Sequence, residues 1–362
     1  MVDLERIRKV VERMEPERID ALFVSVSPDL EYLTGLTPID DERFKGICIY
    51  PDRRLFALAP TLCLEEFKED LGEEIDIFVW ADNEGPSKAM SLAFQKYGVP
   101  KVLGVNDSVR AADILPIAAE HNIELRNARR VVATVRMEKS QEEIDRLRKT
   151  GTLADEVLRQ LVGFIEPGLT ERKLQLKLRD VYESLGGEKI SYVACAGPNS
   201  ALPHYNRSSG IIQKQDVVLI DFGGSYGGYR SDTTRTFFVG EPTEEQRKVY
   251  DIVLEAHLAG EAAVREGIRA CDIDHVVRGV IEKSGYGEFF THRTGHGIGI
   301  VAHELPDISS ADQTVLKKGM AFSIEPGIYL PGRFGIRIEN CVTVTDDGAL
   351  SFTSFPRELI SL

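Results

Sequence analysis

Apolar positions recur in two rhythms along this chain. In LERIRKVVERME they return every three to four residues, which predicts an amphipathic helix. ALFVSV, GICIYP and LFALAP are short unbroken apolar runs, the mark of buried strands, and the turn PDRR separates the last two. PDLEYLTGL reads as a further helix. DIFVWAD, KVLGVN and IELRNA continue the strand series, with SKAMSLAFQKYG and AADILPIAAEH as helices between them. Residues 1–130 therefore predict an α/β domain. No glycine-rich phosphate loop follows any of these strands, so no nucleotide site is expected there.

From residue 131 the texture changes. VVATVRMEKS reads as a linking segment that feeds a long amphipathic helix, with Ser140 and Glu143 spaced for a capping box. EPGLTERKLQLKLRDVYESLGG repeats the pattern, with Thr170 at the cap and Gly186-Gly187 at the stop. Strands follow, then the helices TEEQRKVYDIVLEAHLAGEAAVREG and ACDIDHVVRGVIEKSG, then strands again. The order helix, helix, strands occurs twice over 131–362. This is an α+β domain with a hint of internal duplication.

Two stretches set acids in hairpins. In DFGGSYGGYRSDTTRT, residues 221–236, four glycines predict a turn. With that turn at Tyr226-Gly227, Asp221 and Asp232 become direct cross-strand neighbours. Like charges so placed are destabilising unless a cation or a shared proton neutralises them. Glu325 in AFSIEPGIY and Glu339 in GIRIENCV are centred on the turn signal Pro331-Gly332, so a second hairpin can join a second pair. Between the hairpins, HRTGHGIGIVAH crowds His292, His296 and His303 among glycines. Four carboxylates and one neutral imidazole balance two divalent cations. Oxygen-rich ligation without thiolate suits Mn2+ or Co2+ better than a thiolate-type zinc site. The competing reading is four unrelated strand acids.

Bulk composition narrows the classes. The chain has 362 residues, 43% apolar and 28% charged, with a net charge of −14. That balance suits a soluble globular protein and argues against a nucleic-acid partner. The five cysteines are scattered and form no CxxC pair, so free thiols of a reducing compartment are expected. The charged N-terminal helix is not a signal peptide, and no apolar run reaches the roughly 18 residues of a membrane span. A cytoplasmic protein with no membrane partner is expected. His257 and His275 fall on helices and read as packed or solvent-facing. His121 follows a helix end, where a cation suits the dipole.

With these residues in hand, the second half resembles the metal-dependent pita-bread peptidases: methionine aminopeptidase, aminopeptidase P and prolidase. The resemblance covers roughly residues 140–362 and rests on DFGGSYGGYRSDTTRT, HRTGHGIGIVAHELP, FSIEPGIYLPG and GIRIEN. The first domain is similar to that of prolidase and aminopeptidase P. The resemblance implies two αβ halves related by pseudo-twofold symmetry around two divalent ions, Mn2+ first and Co2+ or Zn2+ next. It puts the metal ligands at Asp221, Asp232, His296, Glu325 and Glu339. It puts outer histidines at His204, His292 and His303, and an arginine at Arg337 that supports a ligand or reaches substrate. The implied reaction is hydrolysis of Xaa–Pro bonds in dipeptides or longer peptides by activated water. His303 and His292 would orient the intermediate, Glu325 would carry the proton, and His204 would sit near the leaving nitrogen. A homodimer is also implied, with first-domain loops over the partner's pocket. Trp80 is then either core or a substrate contact.

The chain departs from this family at Asp307, in HELPDIS, where many prolidases carry an arginine that resembles a clamp for the dipeptide carboxylate. An aspartate would repel that carboxylate. The terminus would then be bound by Arg333 or Arg337, or longer peptides are preferred, as by aminopeptidase P. Creatinase and the binding proteins of this fold lack the complete ligand set, which speaks against both here.

Overall fold

A computed structural model describes residues 2–362. Its internal contacts divide the chain into Met1–Arg136 and Met137–Leu362.

The first unit runs α1 (Leu4–Met14), β1 (Ala21–Ser25), α2 (Pro28–Thr34), β2 (Gly46–Ile49), β3 (Leu55–Pro60), α3 (Leu64–Leu71), β4 (Asp76–Trp80), α4 (Ser87–Tyr97), β5 (Val102–Val105), α5 (Ala111–His121) and β6 (Glu124–Asn127). The strands form one sheet in the order β4-β3-β2-β1-β5-β6. The pairs β1–β2 and β2–β3 are antiparallel and the rest parallel, a mixed α/β layer. Trp80 is core: it is buried and its Nε1 donates to Phe44 O at 3.0 Å. The segment read as a linker is instead a helix, α6 (Arg129–Met137), because Val131, Val132, Val135 and Met137 make a buried apolar face.

The second unit opens with α7 (Gln141–Val162) and α8 (Glu171–Ser184). The Ser140–Glu143 capping box forms at the start of α7, and Thr170 caps α8 by accepting from Lys173 N. Then come β7 (Glu188–Ala196), β8 (Val217–Tyr226), β9 (Tyr229–Arg230) and β10 (Thr233–Phe238). A second helix pair follows, α9 (Glu244–Ala263) and α10 (Ala270–Lys283). The closing strands are β11 (Gly295–Gly297), β12 (Glu304–Ile308), β13 (Ala321–Ile324), β14 (Gly327–Leu330), β15 (Phe334–Arg337), β16 (Asn340–Thr345), β17 (Gly348–Ser351) and β18 (Ile360–Ser361). One sheet has the order β18-β10-β8-β7 and the other β12-β11-β13-β16-β17, so each helix pair is followed by its own sheet, with the last strand, β18, returning to the edge of the first. Each half also has its own core: α7, α8 and the first sheet share one apolar cluster, and α9, α10 and the second sheet share another.

The first hairpin turns one residue later than its sequence suggested. Tyr226 pairs with Tyr229, so the turn is Gly227-Gly228. Both have positive φ, +60° and +82°, as a two-residue hairpin turn of this kind requires. Gly223 and Gly224 are strand residues. A Cβ on Gly224 would meet the Tyr182 ring at 2.6 Å, so glycine there serves close approach rather than turning. In consequence Asp221 pairs with Thr234 and not with Asp232. A shift of two residues preserves the face, so both acids still point the same way. The second hairpin has the expected register. Partners in both β13–β16 and β14–β15 are centred on residue 332, which sets Glu325 against Glu339 in the gap between the two ladders.

Gly228→Val tests the turn. No atom lies within 4 Å of the added Cβ, so the cost is backbone strain alone. A loss of about 1–2 kcal/mol is expected in urea unfolding, and an unchanged midpoint would contradict the turn assignment.

Candidate active site

The two hairpins meet through one backbone bridge. Glu339 N donates to Thr234 O at 3.1 Å, and Thr234 is the register partner of Asp221. This junction brings the acids of both halves to one cavity of roughly 410 Å³. Asp221, Asp232, Glu325, Glu339 and His296 all line it, as do His204, His292, His303 and Arg337. All five expected metal ligands, the three outer histidines and Arg337 are therefore on the cavity wall. Ligand atoms of Asp221, Asp232 and Glu339 lie within 4.8 Å of one another. So do those of His296, Glu325 and Glu339, and those of Asp232, His296 and His303.

The supporting contacts aim these groups. His296 Nε2 is 3.3 Å from Glu325 Oε1, while its Nδ1 lies 3.2 Å from Gly297 O. Ser323 Oγ accepts from His296 N at 3.0 Å and donates to Glu325 Oε1 at 3.2 Å. Thr234 Oγ1 donates to Glu339 Oε2 at 2.7 Å. Arg337 is only 2% exposed and ion-pairs with Asp221. It also donates to Thr234 Oγ1 at 3.1 Å and to Tyr329 Oη at 2.6 Å. Support of Asp221, not reach toward substrate, is the role these contacts favour. Glu304 beside His303 is locked by a buried ion pair with Lys139.

Charge crowding dominates the electrostatics. Burial, then Asp221 and Glu325, pushes the Asp232 carboxyl well above its usual range. Burial, then Asp232, does the same to Glu339. Burial pushes Glu325 up to about 7, against the pull of Arg337. Burial and His303 hold His296 down to about 3, so it is a neutral imidazole with a lone pair to give. Carboxylates that cannot all ionise alone, beside a neutral imidazole, form a donor set that fits divalent cations.

Several residues escaped the sequence reading. Tyr329 Oη, 2.8 Å from His292 Nε2, ties that histidine to Arg337 and hence to Asp221. Its signal was available: in the second hairpin Arg337 pairs with Gly327, and Tyr329 is two along on the same face. Both His292 nitrogens are engaged, since Nδ1 lies 2.7 Å from Arg293 O. A substrate bond to His292 must therefore displace the Tyr329 hydroxyl. Arg293 also lines the cavity and ion-pairs with Asp307, so the aspartate's charge is already matched. Arg333 pairs with Glu245 and does not line the cavity, which removes it as a carboxylate clamp at this site. His257 is packed in the core with neither ring nitrogen bonded, held neutral by burial and by Arg357 and Arg235. Cys271, Asp272 and His275 also cluster at the start of α10, but Asp272 is forked by Arg269 at 2.7 and 2.9 Å.

The sequence pattern of metallopeptidase family M24 matches residues 145–346. The chain belongs to that family. The creatinase/prolidase N-terminal domain matches residues 6–138. Among relatives of this M24 protein, the Xaa-Pro dipeptidase of Pyrococcus horikoshii is 33% identical over 98% of this chain and 99% of its own. The probable dipeptidase PepE of Mycobacterium tuberculosis is 37% identical over 94% and 91%. A recombinant prolidase from Thermococcus sibiricus superposes with a TM-score of 0.92 at 36% identity, covering all of both chains. M24 membership implies use of divalent metal, and the donor set above fits it.

Metal uptake should therefore release protons. In the metal-free chain, Glu325 has an ordinary value of 4.5 raised to about 7. Its protonated form favours the fold below about pH 4.5, and that contribution is lost as pH rises through about 7. A cation must displace those protons, so affinity rises with pH over this window. Titration calorimetry at pH 6.5 in two buffers of different ionisation enthalpy should show proton release. The melting temperature gained on adding Mn2+ should be larger at pH 8 than at pH 5.5. Identical heats in both buffers would contradict the crowded-acid account.

Proposed function

We propose that this M24 protein is an Xaa-Pro dipeptidase that works with two divalent ions, Mn2+ first, with Co2+ or Zn2+ as substitutes. The observation that carries the reading is the convergence of four carboxylates and one imidazole in a cavity ringed by three further histidines. The names of the relatives at 33–37% identity point the same way. Asp221, Asp232, His296, Glu325 and Glu339 would hold the ions. Bound there, the ions would supply an activated water and polarise the scissile carbonyl.

Hydrolysis adds oxygen to the carbonyl carbon and a proton to the proline nitrogen as the C–N bond breaks. Glu325, on the cavity wall, would accept a proton from that water and return it to the proline nitrogen. His303 is held neutral by burial and Arg293, so its ring N–H can donate to the developing oxyanion. His204, exposed on the cavity wall, would contact the substrate near the leaving nitrogen. A dedicated enzyme suits this bond, since proline has no N–H and a fixed φ. A protease that binds its substrate as an extended strand loses a hydrogen bond there. Location in the cytoplasm is supported by five buried free thiols, and a homodimer completes the reading.

One observation favours aminopeptidase P activity on longer peptides. Arg293 on the cavity wall is already neutralised by Asp307, which weakens the attraction for a free carboxylate.

The deciding assay uses protein stripped by chelator and refilled with Mn2+, on an Xaa-Pro dipeptide and an Xaa-Pro-Xaa tripeptide that share the first residue. Faster dipeptide cleavage is expected; faster tripeptide cleavage would make the aminopeptidase reading correct. Asp221→Ala should abolish both turnover and bound metal, and turnover retained in metal-supplemented buffer would refute the ligand set. His303→Ala should lower kcat by about 100-fold with metal content unchanged. A matching loss of metal would make His303 a ligand instead.

A further inference from the structure

Two buried carboxylates outside the metal centre lie on the second helix of each half, and each holds a neighbouring loop through its own set of donors. Glu171 begins α8, the second helix of the first half, and is fully buried. Its Oε1 accepts from Ala196 N at 2.9 Å and Asn199 Nδ2 at 2.8 Å. Its Oε2 accepts from Tyr205 Oη at 3.0 Å and Gly210 N at 2.7 Å. These donors span the loop between β7 and β8, and Tyr205 directly follows His204. Asp274 lies on α10, the second helix of the second half, and is also fully buried. It accepts from Thr294 Oγ1 at 2.7 Å and from both Arg278 Nε and Nη2 at 3.2 Å. Arg278 in turn donates to Phe290 O at 3.0 Å and His292 O at 2.9 Å. The segment so held carries His292.

We propose that Glu171 and Asp274 are positioning residues, each fixing from the second helix of its half the segment that presents an outer histidine to the cavity. The chemistry suits the task. A buried carboxylate is acceptor-only, so it can gather several backbone and side-chain donors at one point. Neither loop has a ladder to hold it: residues 197–210 and 290–294 contain no strand. Without the acids, the histidines would hang from segments whose backbone donors and carbonyls have lost their partners. The proposal rests on the Xaa-Pro peptidase reading, in which His204 and His292 face substrate.

A double-mutant cycle separates positioning from plain stability. Glu171→Gln keeps shape but sets an amide NH2 against donors. On the Mn2+-loaded enzyme with an Xaa-Pro dipeptide, it should lower kcat/KM by about tenfold with metal content unchanged. Added to His204→Ala, it should cost nothing more, because the histidine it positions is gone. The same pattern is expected for Asp274→Asn with His292→Ala. If Glu171→Gln does not fold, Tyr205→Phe carries the cycle, since it removes one donor and leaves the carboxylate. Equal losses in both backgrounds, or loss of metal, would overturn the proposal. His204→Ala with wild-type kcat/KM would instead overturn the role given to His204 in the peptidase reading, and the cycle with His292 would then decide the proposal alone.

Discussion

Four carboxylates crowded into one cavity repel one another, and the second unit is organised around that repulsion. Burial removes the solvent that would screen them. The protein supplies partial compensation: Arg337 lies against Asp221, and the Thr234 hydroxyl donates to Glu339. Arg235, buried beneath, spends its donors on the carbonyls of Thr234 and Glu339 and so holds the backbone that bears the acids. These contacts do not neutralise the cluster, as the upward shifts of Asp232, Glu325 and Glu339 show. A site left so short of positive charge is built for cations, and the fold around it keeps the acids from moving apart.

Register makes this possible. Each hairpin delivers two acids to one side, and a slip of one residue would send an acid to the opposite face. The first hairpin is pinned by Gly227-Gly228 and the second by the turn around Gly332, all with positive φ. The pattern of the second was fully readable, because Pro331-Gly332 is an unambiguous turn signal. The first was misread by one position. The turn expected at Tyr226-Gly227 falls instead on Gly227-Gly228, where both residues can take the positive φ that Tyr226 would take only under strain. The error did not separate the acids, since it moved their pairing by an even number.

The ligand-type residues were legible because their chemistry is unusual for strands. The residues that aim them were not. Tyr329 reads as an ordinary strand aromatic, and its hydroxyl gains meaning only through His292 and Arg337. Glu171 reads as a first-turn acid that suits the helix dipole. Its burial is decided by a loop some forty residues away with no periodicity of its own. Arg278 looks like an i+4 partner for Asp274, which it is, but its other donors reach carbonyls far from the helix. Long-range satisfaction of polar groups leaves no local pattern. Helices α7 and α8, by contrast, were announced by their caps, whereas the cap of the helix misread as a linker, Asn127 accepting from Arg129 N, went unread.

The internal duplication divides labour unevenly. Each half contributes a helix pair, a sheet and two acids, and each has a buried carboxylate on its second helix bonded into the loop that carries His204 or into Thr294 near His292. His296 and His303 come from the second half alone. So does the ion pair Arg293–Asp307. Read alone, Asp307 adds a negative charge that repels a peptide carboxylate. In the structure that charge is matched by Arg293, so repulsion is not its main effect. What matters is competition: a substrate carboxylate must draw Arg293 donors away from, or share them with, a carboxylate already bound. Both partners are more than a third exposed, so solvent screens the pair and the competition is mild. The carboxylate at position 307 is therefore one half of a matched pair rather than a bare negative charge beside the cavity.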